Sequence, residues 1–219
     1  MSHSGSERII IVGGGGFGRE LVSHVGDAHR AGMLPPLGGY LDDAGDVMAA
    51  FGHYGHVAFL GALDGYQPRP GDLFTLAVGA PRTKKLIAER LKARGARFAT
   101  VIHPSAITSP TCRMGEGVIV GTHAGPGVDT VLGDFVTLNS YSGVGHDASI
   151  GNYTTVSGHV DVTGGTEIGE GVFIGSNASI LPRVRIGDWA SIGAGSIVYR
   201  TIKAGSTVYA PPAKLLKRG

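Results

Sequence analysis

The chain has 219 residues, 16% of them charged, and a formal charge of +2 at neutral pH. This length allows one or two domains. The near-balanced charge without a basic stripe disfavours nucleic acid as the main partner, and no apolar run reaches the roughly 18 residues of a membrane span. A single cysteine, Cys112, excludes an internal disulfide and any cysteine-rich metal site.

Residues 1–6 read as a disordered tail without the pattern of a secretory signal, so a cytoplasmic protein is expected. Arg8 to Val12 is an apolar, β-branched run that ends in Gly13-Gly14-Gly15-Gly16-Phe17-Gly18, followed by a helical segment from Arg19 to about Arg30. A strand, a glycine turn and a helix in that order make a phosphate cradle, because glycines let the backbone approach the anion and helix amides face it. Gly13, Gly15 and Gly18 satisfy the G-x-G-x-x-G spacing in the required context. Gly39 to Asp43 reads as a second short strand whose terminal carboxylates, Asp42 and Asp43, either accept hydrogen bonds from a ribose or base or belong to a solvated turn. Phe59 to Gly61 reads as a further short strand.

Leu73 to Val78 is the next apolar run, and Pro81 suits the first turn of a helix from Arg82 to about Arg94. Leu86, Ile87 and Leu91 form its expected apolar face, and its Lys and Arg residues a solvated one, with Arg82 near enough to the first turn to meet a phosphate. Gly95 ends it. Residues 7–101 are too few for a complete dinucleotide fold and suit a small Rossmann-like domain holding a mononucleotide or nucleotide sugar.

From Ile102 to Val198 the sequence repeats with a period of six, as in IGNYTT, VSGHVD, VTGGTE and IGEGVF. The first slot is aliphatic except at Thr108 and Pro126, the second is usually Gly, and the fifth is small or β-branched. Six fits neither a helix nor a plain alternating strand; it is the hexapeptide pattern of a parallel β-helix. Three hexads make one coil, so residues eighteen apart should stack, with the aliphatic slot inside and the second-slot glycines serving backbone angles that a Cβ forbids. The fold class expected is thus α/β plus all-β: a Rossmann-like domain (7–101), a β-helix (102–208) and a tail (209–219).

Stacking by eighteen puts His123, Tyr141 and His159 in one file, and His146 in another between Val128 and Gly164. His146 is followed by Asp147, an acid able to set the imidazole tautomer, and Gly164 leaves room for a ligand. With the polar Asn139 and Ser157 on neighbouring hexads, this points to His146 as a catalytic base, against the plainer reading of a corner histidine on the surface. His103 reads as a cap on the first coil, and His123 and His159 as wall residues as readily as reactive ones. The spacings among His123, His146 and His159 do not make a zinc site, and no metal is expected.

The G-G-x-G-F-G-R-E start, Gly39-Tyr40-Leu41-Asp42-Asp43, His103-Pro104-Ser105-Ala106, and Asn139 followed by His146-Asp147-x-x-Ile150-Gly151 together resemble the bacterial sugar acetyltransferases of the PglD and NeuD type, over nearly the whole chain. That resemblance implies a left-handed β-helix and a homotrimer with acetyl-CoA bound between neighbouring subunits. It implies a nucleotide-linked amino sugar as acceptor for N-acetylation in surface polysaccharide synthesis, held by Gly13, Gly15, Gly16, Phe17, Gly18, Arg19, Asp42, Asp43 and Arg82. It implies His146 as base supported by Asp147, Gly164 as the oxyanion amide, Asn139 and Ser157 at the sugar, Ser176, Gly193 and Ala194 along the pantetheine arm, and Thr155 at a position near the cofactor.

Lys214, Lys217 and Arg218 suit either CoA phosphates or a solubilising tail. Three positions depart from the family pattern: Phe17 and Thr155 where relatives carry histidine, and Ala210 before Pro211-Pro212-Ala213-Lys214 where Gly is usual. These departures keep O-acetylation of a sugar hydroxyl, or a non-catalytic nucleotide-binding trimer, as alternatives.

Overall fold

The computed structural model describes residues 7–213; Lys214, Lys217, Arg218 and the expected tail at 1–6 lie outside the described residues. A parallel four-stranded sheet comes first, with β1 (Arg8–Val12), β2 (Leu37–Leu41), β3 (Asp72–Leu76) and β4 (Arg97–Phe98) in the order β2-β1-β3-β4. Helix α1 (Gly16–Arg30) follows β1, and α2 (Pro81–Lys92) follows β3. Phe59 makes only an isolated bridge to Tyr40, so the expected strand at 59–61 is a single rung. Ile9, Ile10 and Ile11 are fully buried, as a strand covered on both sides requires.

The hexads form a three-faced solenoid. Face one carries seven two-residue strands from Val101–Ile102 to Thr207–Val208, including Thr137–Leu138, Thr155–Val156 and Phe173–Ile174; faces two and three carry five each. Pairing is parallel with a register of eighteen, as in Thr137↔Thr155, Gly143↔Asp161 and Ser149↔Glu167. The aliphatic first slot and the small fifth slot both point inward and make one continuous core from Val118 to Val198. Where the fifth slot is polar, its hydroxyl serves a corner carbonyl, as Thr154 does for Gly169 O at 2.9 Å and Ser142 for Ser157 O at 2.7 Å.

The glycines do a different job from the one expected. The left-handed backbone falls on the fourth slot, at His123, Asp129, Phe135, Tyr141, Asp147, Tyr153 and His159, with φ between 54° and 62°. Second-slot glycines are instead demanded by the approach of the next coil: a Cβ on Gly151 would meet backbone of Gly169 at 2.5 Å, and one on Gly145 the Gly164 nitrogen at 2.6 Å. The second-slot constraint is therefore steric, and the fourth slot carries the conformational cost.

The α/β layer sits on face one. Of the expected apolar face of α2, Leu91 is buried and Ile87 packs half-buried against the core, but Leu86 is 55% exposed, and Lys84 and Ala88 complete the buried side instead. The cations of α2 dock on the solenoid while staying partly in solvent. Arg82 lies 4.7 Å from the Trp189 ring, Lys85 lies 5.6 Å from Tyr153 and 2.8 Å from Glu170, and Lys92 lies 4.8 Å from Phe135 and pairs with Glu116. Phe135, Tyr153 and Trp189 recur on one corner in the eighteen-residue file, so the helix reads the solenoid's own period.

Lys84 is sealed beneath α2 at 1% exposure, and burial holds its ammonium down to about 7. A lowered folded value means the unfolded chain binds more protons between pH 7 and the ordinary lysine range. Stability is expected to rise with pH across that window, and below it Lys84 adds no pH dependence. Denaturant unfolding of wild type and Lys84→Met should show a stability difference that moves toward wild type by roughly a few kcal/mol as pH increases. A difference that stays flat across the window rules this linkage out.

Candidate active site

A cavity of about 830 Å³ opens where α1 meets the corner between faces one and two. From α1 come Phe17, Glu20, Ser23, His24 and Asp27; from the solenoid come Thr122, Asn139, Thr155, Ser157, His159 and Ser176, among others. Among the described residues, no Lys or Arg lines it. Glu20, Ser23, His24 and Asp27 were not singled out from the sequence, although their spacing of three, one and three marks one helix face.

This wall is tied together by hydrogen bonds. His103 sits in the first coil, accepts Ser105 N–H at Nδ1 (3.1 Å) and places Nε2 3.0 Å from Asp27 Oδ2, which depresses the aspartate's proton affinity. His103 therefore caps its coil as expected and also anchors α1. His24 Nε2 lies 3.2 Å from Thr122 Oγ1, its ring packs edge-on against His103 at 5.1 Å, and burial, then the neighbouring imidazole, lowers its proton affinity. His123, Tyr141 and His159 stack along the same corner at 5.2 and 4.9 Å, and Tyr141 and His159 face the cavity.

The two solenoid corners bordering face one differ in how their amides are used. At the corner against α2, the N–H groups of Glu116, Asp134 and Glu170 are capped by the side chains of Asp134, Asn152 and Asp188 one coil on. At the cavity corner the equivalent residues, Ser140, Gly158 and Ser176, have short side chains or none, and their N–H groups find no acceptor among the described residues. A column of free donors thus lines the cavity.

His146 and Asp147 lie on the next corner, between faces two and three. Nδ1 is 2.7 Å from Asp147 Oδ2, both side chains are well exposed, and Asp147 takes the left-handed conformation at φ 57°. Donating Nδ1–H to the carboxylate leaves Nε2 as the lone-pair nitrogen, next to Gly164 on an exposed corner. The room expected above Gly164 is filled by the imidazole itself: a Cβ there would meet His146 Nε2 at 2.6 Å. Within one chain, then, His146 and Gly164 are not brought together with Asn139 and Ser157, which lie across the width of face two at the cavity.

At the glycine turn, Gly13 needs its φ of 102°, and a Cβ on Gly18 would strike Gly13 O at 2.0 Å, whereas Gly15 and Gly16 face open space. Asp42 is engaged by its own chain: Oδ2 accepts Gly14 N–H at 2.7 Å and Oδ1 accepts Ala44 N–H at 2.8 Å. Asp43 accepts Leu63 N–H at 2.8 Å. Phe17 lines the cavity, Arg19 stacks 3.8 Å over Phe51, and Arg82 stacks on Trp189 away from the cavity. Thr155 and Ser176 line the cavity; Gly193 and Ala194 continue that corner upward, where a Cβ on Gly193 would meet Tyr209. No group of three or more His, Cys, Asp or Glu placed to hold a metal occurs among the described residues.

The bacterial transferase hexapeptide (six repeats) family matches residues 165–200. UDP-N-acetylbacillosamine N-acetyltransferase of Bacillus subtilis is 45% identical over 51 residues, so the match spans 23% of this chain and only 24% of that relative's length. The acetyltransferase domain of PglB from Neisseria gonorrhoeae, solved with acetyl coenzyme A, is 28% identical with a TM-score of 0.79, over 96% of this chain and 100% of that one. PerB from Caulobacter crescentus, solved with CoA and GDP-perosamine, is 26% identical with a TM-score of 0.81, over 96% and 97%. Residues 165–200 carry the hexapeptide repeat of that transferase family, and over nearly its whole length the chain is similar in fold to these β-helix acetyltransferases. The likeness to these acyltransferases extends past the hexads, because coverage of 96% includes the α/β layer seated on face one.

In this chain the turn at Gly13 to Gly18 is held by the Asp42 carboxylate. Asp42→Ala leaves the Gly14 and Ala44 amides without their acceptor and is expected to cost about 1–3 kcal/mol. Urea unfolding checks this, and a midpoint unchanged from wild type would show that the carboxylate does not hold the turn.

Proposed function

We propose that the chain is an acetyl-CoA-dependent N-acetyltransferase acting on a nucleotide-linked amino sugar, by direct transfer with His146 as general base. The observation that carries this reading is the His146–Asp147 pair, a tautomer-fixed imidazole on an exposed corner whose Nε2 is unengaged among the described residues and lies next to Gly164. The amine adds to the thioester carbonyl carbon as His146 Nε2 takes the amine's proton; collapse breaks the C–S bond and returns that proton to the thiolate. The Gly164 N–H, beneath the imidazole and without an acceptor among the described residues, is the donor for the developing oxyanion.

The cavity supplies the acceptor site. Asn139 and Ser157 hold the sugar, and the open turn at Gly15 and Gly16 receives the diphosphate at the start of α1. Glu20 and Asp27, with no cationic side chain among the described lining residues, favour an amine over an acidic sugar, and so N-acetylation over O-acetylation of a sialic acid. The free amides of Ser140, Gly158 and Ser176 suit a carbonyl-bearing pantetheine arm.

Both halves of the chemistry border face two, the cavity on one edge and His146 on the other. The outward residues of that face are Gly125, Gly143, Asp161, Ser179 and Ile197, mostly too small to hold a neighbour off. A homotrimer with this face turned toward its axis brings His146 of one chain to the cavity of the next, a cyclic head-to-tail contact. The similar proteins solved with acetyl coenzyme A, or with CoA and GDP-perosamine, are consistent with this substrate pair.

His146→Ala is expected to lower turnover by about 10²–10⁴-fold while CoA still binds by calorimetry. Mixing it with Asn139→Trp, which blocks the cavity, should restore part of the activity in mixed trimers. Near-normal turnover by His146→Ala removes the base; no recovery on mixing removes the shared site.

A further inference from the structure

Among the described residues the buried ammonium of Lys84 has no carboxylate partner. Nζ donates to Thr155 Oγ1 at 2.7 Å, Thr137 Oγ1 at 2.9 Å and Phe135 O at 3.1 Å, with Thr154 O at 3.5 Å. The nearest cations on α2, Lys85 and Lys92, are paired with Glu170 and Glu116 and leave Lys84 to these oxygens alone. An apolar side chain would seal the same contact at a smaller desolvation cost. What a lysine adds is direction: an ammonium has three hydrogens and no lone pair, so each hydroxyl it touches must accept and turn its own hydrogen elsewhere.

The two hydroxyls are not equivalent. Thr137 and Thr155 are neighbours on adjacent rungs of face one, and neither has another partner among the described residues, but Thr155 lines the cavity and Thr137 does not. Beside Thr155 the cavity presents the free amides of Gly158 and Ser176. We propose that Lys84 is a positioning residue for the acyl donor, holding the Thr155 hydroxyl from behind so that its hydrogen points into the cavity at an oxygen of acetyl-CoA. Polarised by the ammonium, this hydroxyl is a better donor than an isolated threonine. The proposal rests on the N-acetyltransferase reading.

The test is calorimetric binding of CoA and acetyl-CoA below pH 7, where the ammonium form predominates, together with steady-state kinetics. Thr155→Val should weaken binding about fivefold to tenfold, the worth of one hydrogen bond, and raise the KM for acetyl-CoA more than it lowers kcat. Thr155→Ser should restore affinity, Thr137→Val should leave it unchanged, and Lys84→Met combined with Thr155→Val should bind no worse than Thr155→Val alone. Equal affinity of wild type and Thr155→Val, equal losses at Thr137 and Thr155, or additive losses in the double variant overturn the proposal. Should Lys84→Met fail to fold, the three threonine variants decide it alone. A wild type that binds neither ligand overturns the N-acetyltransferase reading itself, and the role of Lys84 with it.

Discussion

The constraint on which this molecule depends is the parallel ladder that locks each residue to the one eighteen places on. Because a coil rises by the spacing of paired strands, about 4.8 Å, anything written at one position is written again directly above it. Glycine at the second slot is what lets coils approach so closely, since any side chain at Gly151 would run into the backbone of Gly169. The same regularity makes the solenoid's three corners chemically separate. One is capped by Asp and Asn side chains and lined by aromatic rings, one has open amides and carries the cavity, and one carries His146.

The α/β layer uses that regularity as a docking surface. Arg82, Lys85 and Lys92 each find an aromatic ring of the file Phe135, Tyr153 and Trp189, and two of them also find a glutamate. Each contact is modest, of the order of 0.5–1 kcal/mol when exposed; together they set the height of α2 along the prism. Lys84 then enters the interface at one rung, and α1 is brought to the opposite corner, where its polar face closes the cavity.

Much of this was legible in the chain. The hexad period announces the solenoid, its eighteen-residue stacking and the file of His123, Tyr141 and His159, and the strand-glycine-helix order announces β1 and α1. The motif with His146 and Asp147 names a pair that meets at 2.7 Å. The docking side of α2 was not legible, because a lysine-rich helix face looks solvated until aromatic partners arrive from far along the chain. Nor was the engagement of Asp42 and Asp43, since a carboxylate after a strand serves a ligand or a backbone amide with equal ease.

The sequence by itself determined the period, and with it the prism, the core and the identity of the imidazole with its acid, because those follow from local spacing. Only the tertiary structure decided which corner each group occupies. Asn139 and His146 are seven residues apart, yet one turn of backbone at Tyr141 and the strand at Gly143 send them to opposite edges of face two. A spacing along the chain records how many residues separate two side chains; it takes the folded corner to say in which direction each one points.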